Sequence, residues 1–412
     1  MALDRPLMLG GGRVIEPGSK TPRNLDIEIG TNGRITAVGP GLPKSEQHRS
    51  IDLRNRLVVP GLIDMHQHLD KSRTRRLVKN PTGDVPGALA GYQEFAKTVT
   101  KDGILSRAAQ TLEACLSRGT VAIRSHTNID PDTRTRGVEA MVEFRDKHAD
   151  RMRVQIVAHV TSGATRTRTE ARRWLLQAID LGVDVLGGVP CISDDPIAFL
   201  DMMFDLAVKS GLPLDLHIDE HLDASKLLFE PLVERTEALG LQGRVVASHS
   251  SVLSAVDAST AGRIIEKLAR AKIGVVTLPA ANLFLQGRDA AILPPRGVTR
   301  VADLIAGGVR VAAASDNIQD PFVPTGSGDM LEIARWTLLA GHLGLTDVGK
   351  AFDLVSSSPA AIMGLEKDWG IHAGSRADLL ITDGEDHEDL VASGALNRVV
   401  MMGGHIVSGH LT

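Results

Sequence analysis

An α/β fold, a closed (β/α)8 barrel carrying a small β-sandwich built from both termini, is what this 412-residue sequence predicts. Three observations carry the prediction. Eight candidate strands alternate with helical patterns through the middle of the chain. Short strands broken by Gly, Pro and Asn fill both ends. Residues able to do chemistry fall just at or after successive candidate strands, where a parallel barrel places its working rim.

The ends come first. Leu7–Leu9, Arg13–Ile15, Leu25–Ile29, Ile35–Val38 and Ser50–Asp52 read as a small antiparallel sheet, and Ala377–Ile381, Arg398–Met402 and the segment after Gly403-Gly404 read alike. Residues 1–59 and 370–412 are therefore assigned to one small domain and 60–369 to the barrel. The first barrel strand is expected in the stretch from Val58 to Lys71, opened by Pro60-Gly61. The others are Val121–Ser125, Arg153–His159, Val183–Val189, Leu214–Ile218, Val245–His249, Ile273–Leu278 and Val309–Ala314. Helical patterns lie between them at Leu105–Leu116, Gly137–Phe144, Glu170–Leu181, Pro196–Lys209, Lys226–Leu239, Ala261–Ala271 and Val301–Ala306, several closed by a glycine such as Gly182 or Gly211. Eight strands favour a TIM barrel over an open sheet. No Gly-x-Gly-x-x-Gly follows an early strand, so a dinucleotide fold has no support.

Composition narrows the function classes. A net charge of −4 gives no reason to expect nucleic acid or an acidic membrane, and 3% aromatic residues make base-stacking platforms scarce. Cys115 and Cys191 are too far apart in sequence and context to suggest a disulfide framework or thiolate site. The N-terminus lacks a basic-then-apolar leader, and no run approaches the ~18 apolar residues of a membrane span. A cytoplasmic location is expected. The expected partner is a small molecule, with neither nucleic acid nor membrane, and the chain is expected to form a homo-oligomer.

The chemistry is concentrated in histidines. On a strand, residues two apart share a face, so His66 and His68 project together, about 7 Å apart along the axis. Neutral imidazoles of that kind suit a divalent transition metal. His217 ends the fifth strand and Glu220 follows it; His249 ends the sixth; Asp316 ends the eighth, a strand of small apolar residues where a buried carboxylate needs a cation or hydrogen-bond donors. His126 and His159 are read as pocket-lining or structural. Two-metal barrel sites commonly use a lysine at the end of strand four, and Leu186-Gly187-Gly188-Val189-Pro190-Cys191 offers none. One Zn²⁺ or Fe²⁺ per chain is expected, held by His66, His68, His217 and Asp316 with a position left for water. The basic run Lys71, Arg73, Arg75, Arg76 reads first as a solvated loop, with reception of an anionic substrate group as the alternative. Arg166, Arg168, Arg172 and Arg173 read as helix surface.

These segments together resemble the metal-dependent amidohydrolase superfamily, and within it the cytosine deaminase-like branch. The resemblance is carried by Pro60-Gly61-Leu62-Ile63-Asp64-Met65-His66-Gln67-His68-Leu69-Asp70, His217-Ile218-Asp219-Glu220, Ala247-Ser248-His249, Leu285-Gln286-Gly287-Arg288 and Ser315-Asp316-Asn317-Ile318-Gln319-Asp320-Pro321. It implies that His66, His68, His217 and Asp316 are metal ligands, that Glu220 shuttles protons, and that His249 orients the attacking oxygen. It implies a deaminase of a nitrogen heterocycle. Lys71 and Asp316–Met330 also resemble N-isopropylammelide amidohydrolase, which makes hydrolysis of an N-substituted amino-triazine or cyclic amide the alternative; a ligand-less scaffold is disfavoured by the retained ligand positions. Substrate contact is implied for Lys71, Thr161, Asn317 and Phe322. Thr161 stands where cytosine deaminases carry a glutamine and Asn317 where they carry an aspartate, so cytosine itself is expected to be a poor fit.

Overall fold

The computed structural model describes residues 2–16, 18–19, 21–161 and 168–411. Arg166 lies outside them. The barrel strands are β1 (Leu62–Gln67), β2 (Thr120–Ile129), β3 (Arg153–Val160), β4 (Val185–Gly188), β5 (Leu214–Ile218), β6 (Val245–His249), β7 (Gly274–Thr277) and β8 (Val311–Ala313). Each pairs in parallel with the next, in chain order. Strands buried along their whole length, such as β2, are what a sheet with side chains packed on both faces requires.

Closure of the barrel falls on the candidate site. Gln67 bridges Asp316 in parallel. The Asp316 N–H donates to His66 O at 2.8 Å, and the His68 N–H donates to Asp316 O at 3.1 Å. Below this seam Asp64 is buried and accepts from the Ser315 N–H at 3.1 Å and from Gln67 Nε2 at 2.7 Å. Burial pushes the Asp64 carboxyl up to about 6.

Local signals set the helices. Pro196–Ser210 begins with Asp195 accepting from the Ala198 N–H at 3.0 Å and ends on Gly211 at φ 72°. Ala258–Arg270 is capped by Asp257 in the same way. The helix expected from Lys226 starts at Phe229, because Asp219 Oδ2 accepts from the Leu228 N–H at 2.8 Å and holds the preceding turn open. Val85–Ala96, Pro279–Leu285 and Met330–Ala340 are helices that the sequence patterns do not announce. The first carries Gly87 and Gly91, and the second has only seven residues, so neither presents a long periodic face. No helix of the described residues is long and apolar enough to cross a membrane.

Strands from both ends form one continuous mixed sheet rather than an antiparallel one. Leu57–Pro60 is its pivot, pairing in parallel with Leu7–Val14 and antiparallel with Leu379–Asp383. Leu7–Val14 also runs parallel to Arg49–Asp52, because the Arg23–Ile29 and Ile35–Gly39 hairpin serves as the crossover between them. The sheet encloses its own core, with Leu9, Ile27, Val58, Ile381 and Met401.

Pro60-Gly61 does not open the first barrel strand; it joins Leu57–Pro60 of this sheet to β1. The Gly61 N–H donates to Asp378 O at 3.0 Å, and Gly61 O accepts from Trp369 Nε1 at 2.8 Å. A Cβ at this position would lie 2.2 Å from Val121 Cγ1. Gly61→Ala should therefore overpack the junction, cost about 1–3 kcal/mol and lower the thermal unfolding midpoint. An unchanged midpoint by calorimetry would show that β2 yields without strain.

Candidate metal centre and active site

Ligand-type atoms of His66, His217, His249 and Asp316, all buried, lie within 4.8 Å of one another. They come from β1, β5, β6 and the residue that closes the barrel. Asp316 Oδ1 is 3.6 Å from His66 Nε2 and 3.2 Å from His68 Nε2, and Asp316 Oδ2 is 3.9 Å from His249 Nε2. His68 follows the end of β1 and brings its Nε2 closer to Asp316 than His66 or His249 does. His249 and Asp316 adopt left-handed backbone conformations, with φ 66° and 61°. Non-glycine residues rarely take that conformation, and here it turns both side chains back toward the barrel axis at their strand ends.

A cation fits this nest. Among the described residues, His66 Nε2, His249 Nε2, His217 Nδ1 and Asp316 Oδ1 are buried without a hydrogen-bond partner. Unpaired polar atoms at that density are costly unless something binds them. Burial first, and neighbouring positive charge second, holds His66, His68 and His217 well below the ordinary histidine range. Burial lowers His249 to about 4, against the pull of Asp316. These imidazoles are thus in the neutral, metal-binding form. Burial raises Asp316, with His249 and Lys71 opposing it. At the end of β4, where a second metal would need a lysine, a Cβ on Gly187 would sit 2.5 Å from Val157 Cγ1.

A second layer fixes the imidazoles. His66 Nδ1 pairs with Ser248 Oγ at 3.0 Å, and Ser248 Oγ donates to Asp215 Oδ1 at 2.7 Å. Arg124 Nη1 donates to Asp215 Oδ2 at 2.8 Å. Burial works against the Asp215 charge, but His126 and Arg124 together hold its carboxyl below the usual range. His68 Nδ1 pairs with the carbonyl of His126 at 2.9 Å. His126 itself stacks on His66, centroids 3.7 Å apart, while His159 lines the cavity above. Sequence reasoning did not pick out Ser248 or Asp215. The signal was present for Asp215, which lies two residues before His217 on one strand and so shares its face.

Glu220 stands beside the cluster, its Oε1 3.5 Å from His249 Nδ1, with a side chain 14% exposed to the cavity. Burial, then the charge of Asp316, pushes its carboxyl up to about 8. The cavity is also lined by Lys71, Asn128, Thr161, Asn317 and Phe322, with an apolar wall of Val85, Leu89 and Ile192. Thr161 donates its hydroxyl to Ile129 O at 3.3 Å. Asn317 donates its amide to Asp320 Oδ2 at 2.5 Å, and burial pushes the Asp320 carboxyl up to about 6. The basic run divides. Arg75 and Arg76 are exposed, Arg73 Nε donates to Thr111 Oγ1 at 3.1 Å, and Lys71 is buried with its Nζ 4.3 Å from the Phe322 ring centroid. The solvated-loop reading therefore fails for Lys71. Cys191 also lines the cavity, and both cysteines are free.

A barrel closed on a histidine–aspartate nest defines a class of hydrolase, and comparison with known proteins places the chain within it. The amidohydrolase family model matches residues 97–407. The chain is 29% identical to a pterin deaminase of Rhizobium rhizogenes, over 96% of this chain and 90% of that one. It is 27% identical to an N-isopropylammelide isopropyl amidohydrolase of Pseudomonas sp., over 91% and 90%. The structure of 5-methylcytosine deaminase from Klebsiella pneumoniae liganded with 5-fluorocytosine superposes with a TM-score of 0.90 at 26% identity, covering 98% of both chains. This chain belongs to the amidohydrolase family, and it is a hydrolase of carbon–nitrogen bonds other than peptide bonds.

The Ser248–Asp215 support yields a prediction. Ser248→Ala and Asp215→Asn should each weaken divalent-metal affinity roughly 10–100-fold, by releasing His66 from its fixed orientation. Chelator-competition titration measures this directly; wild-type affinity in both variants would show that His66 is held by packing alone.

Proposed function

We propose that this chain hydrolyses an exocyclic amino group from a nitrogen heterocycle, a cyclic amidine, and releases ammonia. One observation carries the reading: Glu220, its carboxyl raised to about 8, faces the cavity beside the nest of unpartnered ligand atoms. An acid still protonated near neutral pH is what a ring nitrogen needs from a general acid. The deaminase relatives support the reaction class.

A single Zn²⁺ or Fe²⁺, held by His66, His68, His217 and Asp316, would supply Lewis acidity toward water near neutral pH. The remaining steps belong to side chains. Asp316 accepts a proton from the attacking water. Glu220 gives its proton to the ring nitrogen next to the carbon under attack, while His249 holds the incoming oxygen. Asp316 then returns its proton to the exocyclic nitrogen, which leaves as ammonia. The hydroxyl left on the ring gives its proton to Glu220, so a lactam remains and both carboxyls regain their starting states. Lys71, Thr161, Asn317 and Phe322 bound the ring.

A second reading changes the leaving group and keeps the nest. The apolar wall of Val85, Leu89 and Ile192 suits contact with an alkyl substituent, in which case an N-alkylamino triazine would be the substrate and an alkylamine the product.

Reconstituted protein should bind about one metal per chain, checked by elemental analysis. Glu220→Gln should keep that metal and lose roughly 10²–10⁴-fold in kcat; near-normal turnover would remove Glu220 from the chemistry.

Substrate choice is tested by ammonia release over amino-pyrimidines, amino-purines, pterins, creatinine and amino-triazines. Thr161 gives its hydroxyl to Ile129 O and Asn317 gives an amide N–H to Asp320, so neither presents the paired donor and acceptor of a free carboxamide, and cytosine should not give the highest kcat/KM. If it does, the pocket reading is wrong while the metal nest stands. Alkylamine release without ammonia would favour the second reading.

A further inference from the structure

Beside the Asp316 nest stand three buried histidines whose ring nitrogens are largely unused. His126 on β2, His159 on β3 and His217 on β5 each bring one ligand-type nitrogen within 4.8 Å of the other two. The ring centroids of His126 and His159 are 5.4 Å apart, those of His126 and His217 5.1 Å, and those of His159 and His217 4.3 Å. All three side chains are buried. Among the described residues, both nitrogens of His126 lack a hydrogen-bond partner, as do His159 Nδ1 and His217 Nδ1. A ring nitrogen is a donor or an acceptor in either protonation state, so such atoms in one place call for something to bind them.

The chemistry of the group favours a metal ion. Three imidazoles with an open fourth position make a tetrahedral Zn²⁺ set, in which neighbouring ligands stand roughly 3.3 Å apart, so small ring rotations complete the geometry. Burial first, and neighbouring histidines second, hold His159 and His217 well below the ordinary histidine range, which leaves their lone pairs free. Gly187 on β4 leaves room beside the group, since a Cβ there would already stand 3.7 Å from His159 Nδ1. A grouping of His66 with His126 and Asp215 offers less, because Asp215 already accepts from Arg124 and Ser248.

From this arrangement we infer that His126, His159 and His217 form a second divalent-metal seat, one that takes an imidazole-preferring ion such as Zn²⁺ or Co²⁺ and not Mg²⁺. It needs no lysine from β4. His217 belongs to both groups; when it serves the triad, His66, His68, His249 and Asp316 remain for the first ion. The second ion binds more weakly than the first, because the triad brings no negative charge and the first ion repels it. His159 and His217 also line the cavity, so the seat is reached by the same mouth as the nest.

Metal binding tests the seat without any substrate. Calorimetric titration of the one-metal protein with further Zn²⁺ should show an additional, weaker equivalent, and Mg²⁺ should not supply it. His159→Phe keeps a planar ring, removes the nitrogens, and should lose that equivalent while keeping the first metal; the retained metal shows that the variant is folded. Crystals of the wild-type protein soaked in Co²⁺ decide the matter even if the variant does not fold: anomalous scattering should place one ion at Asp316 and another among His126, His159 and His217. No ion among the three rings, saturation at one equivalent, or a weaker step that survives in His159→Phe would overturn the proposal. If the triad fills and the Asp316 nest stays empty, the metal assignment of the proposed function falls and the three-histidine seat remains.

Discussion

Everything at the centre of this barrel depends on one electrostatic demand. Asp316 is buried against His66, His68 and His249, and burial alone works against its charge. The imidazoles around it are themselves kept neutral by burial, so they cannot neutralise it as cations. A divalent ion meets the needs of the carboxylate and the orphaned ring nitrogens at once. The same residue closes the barrel through its backbone bonds to His66 and His68. Barrel closure and the buried histidine–carboxylate cluster therefore rest on one position.

That arrangement is held from beneath by polar groups that never reach the cavity. Asp64, Gln67 and Ser315 lock β1 against the residue before Asp316. Arg124, Asp215 and Ser248 run from β2 through β5 to β6 and end on His66. Truncating one member of such a buried network strands the charge or dipole of the next, so its members act together. Above the nest the cavity is lined by Lys71, Asn128, Thr161, Asn317 and Phe322, with an apolar wall of Val85, Leu89 and Ile192.

Much of this was legible in the chain. Strand positions followed from apolar runs, and the side chains that gather in the buried cluster from where histidines and carboxylates stood relative to strand ends. Other features were not legible. His68 and His249 look alike in sequence, yet His249 takes a left-handed backbone, φ 66°, at the end of its strand, which residue type does not announce. The basic run after β1 reads as one solvated loop, yet the turn buries Lys71 against Phe322, a residue about 250 positions away in sequence, and leaves Arg75 and Arg76 outside. Asn128 carried no signal at all, because a lone asparagine near a strand end is ordinary; only its side-chain oxygen, buried without a partner among the described residues, marks it.

By itself the sequence determined the eight-strand alternation, the barrel rim as the place of chemistry, and a neutral-histidine and carboxylate set suited to a metal. Those depend on periodicity and on residue type, which are local properties. Tertiary structure decided that both termini share one sheet through Leu57–Pro60, that Gly61 joins it to the barrel, and which cavity groups remain free to meet a substrate. Each of these depends on partners far apart in the chain, as when Thr161 is tied to Ile129 and His66 is reached by Ser248. Whether a polar atom is satisfied or left available is a property of the folded neighbourhood, and no single residue states it.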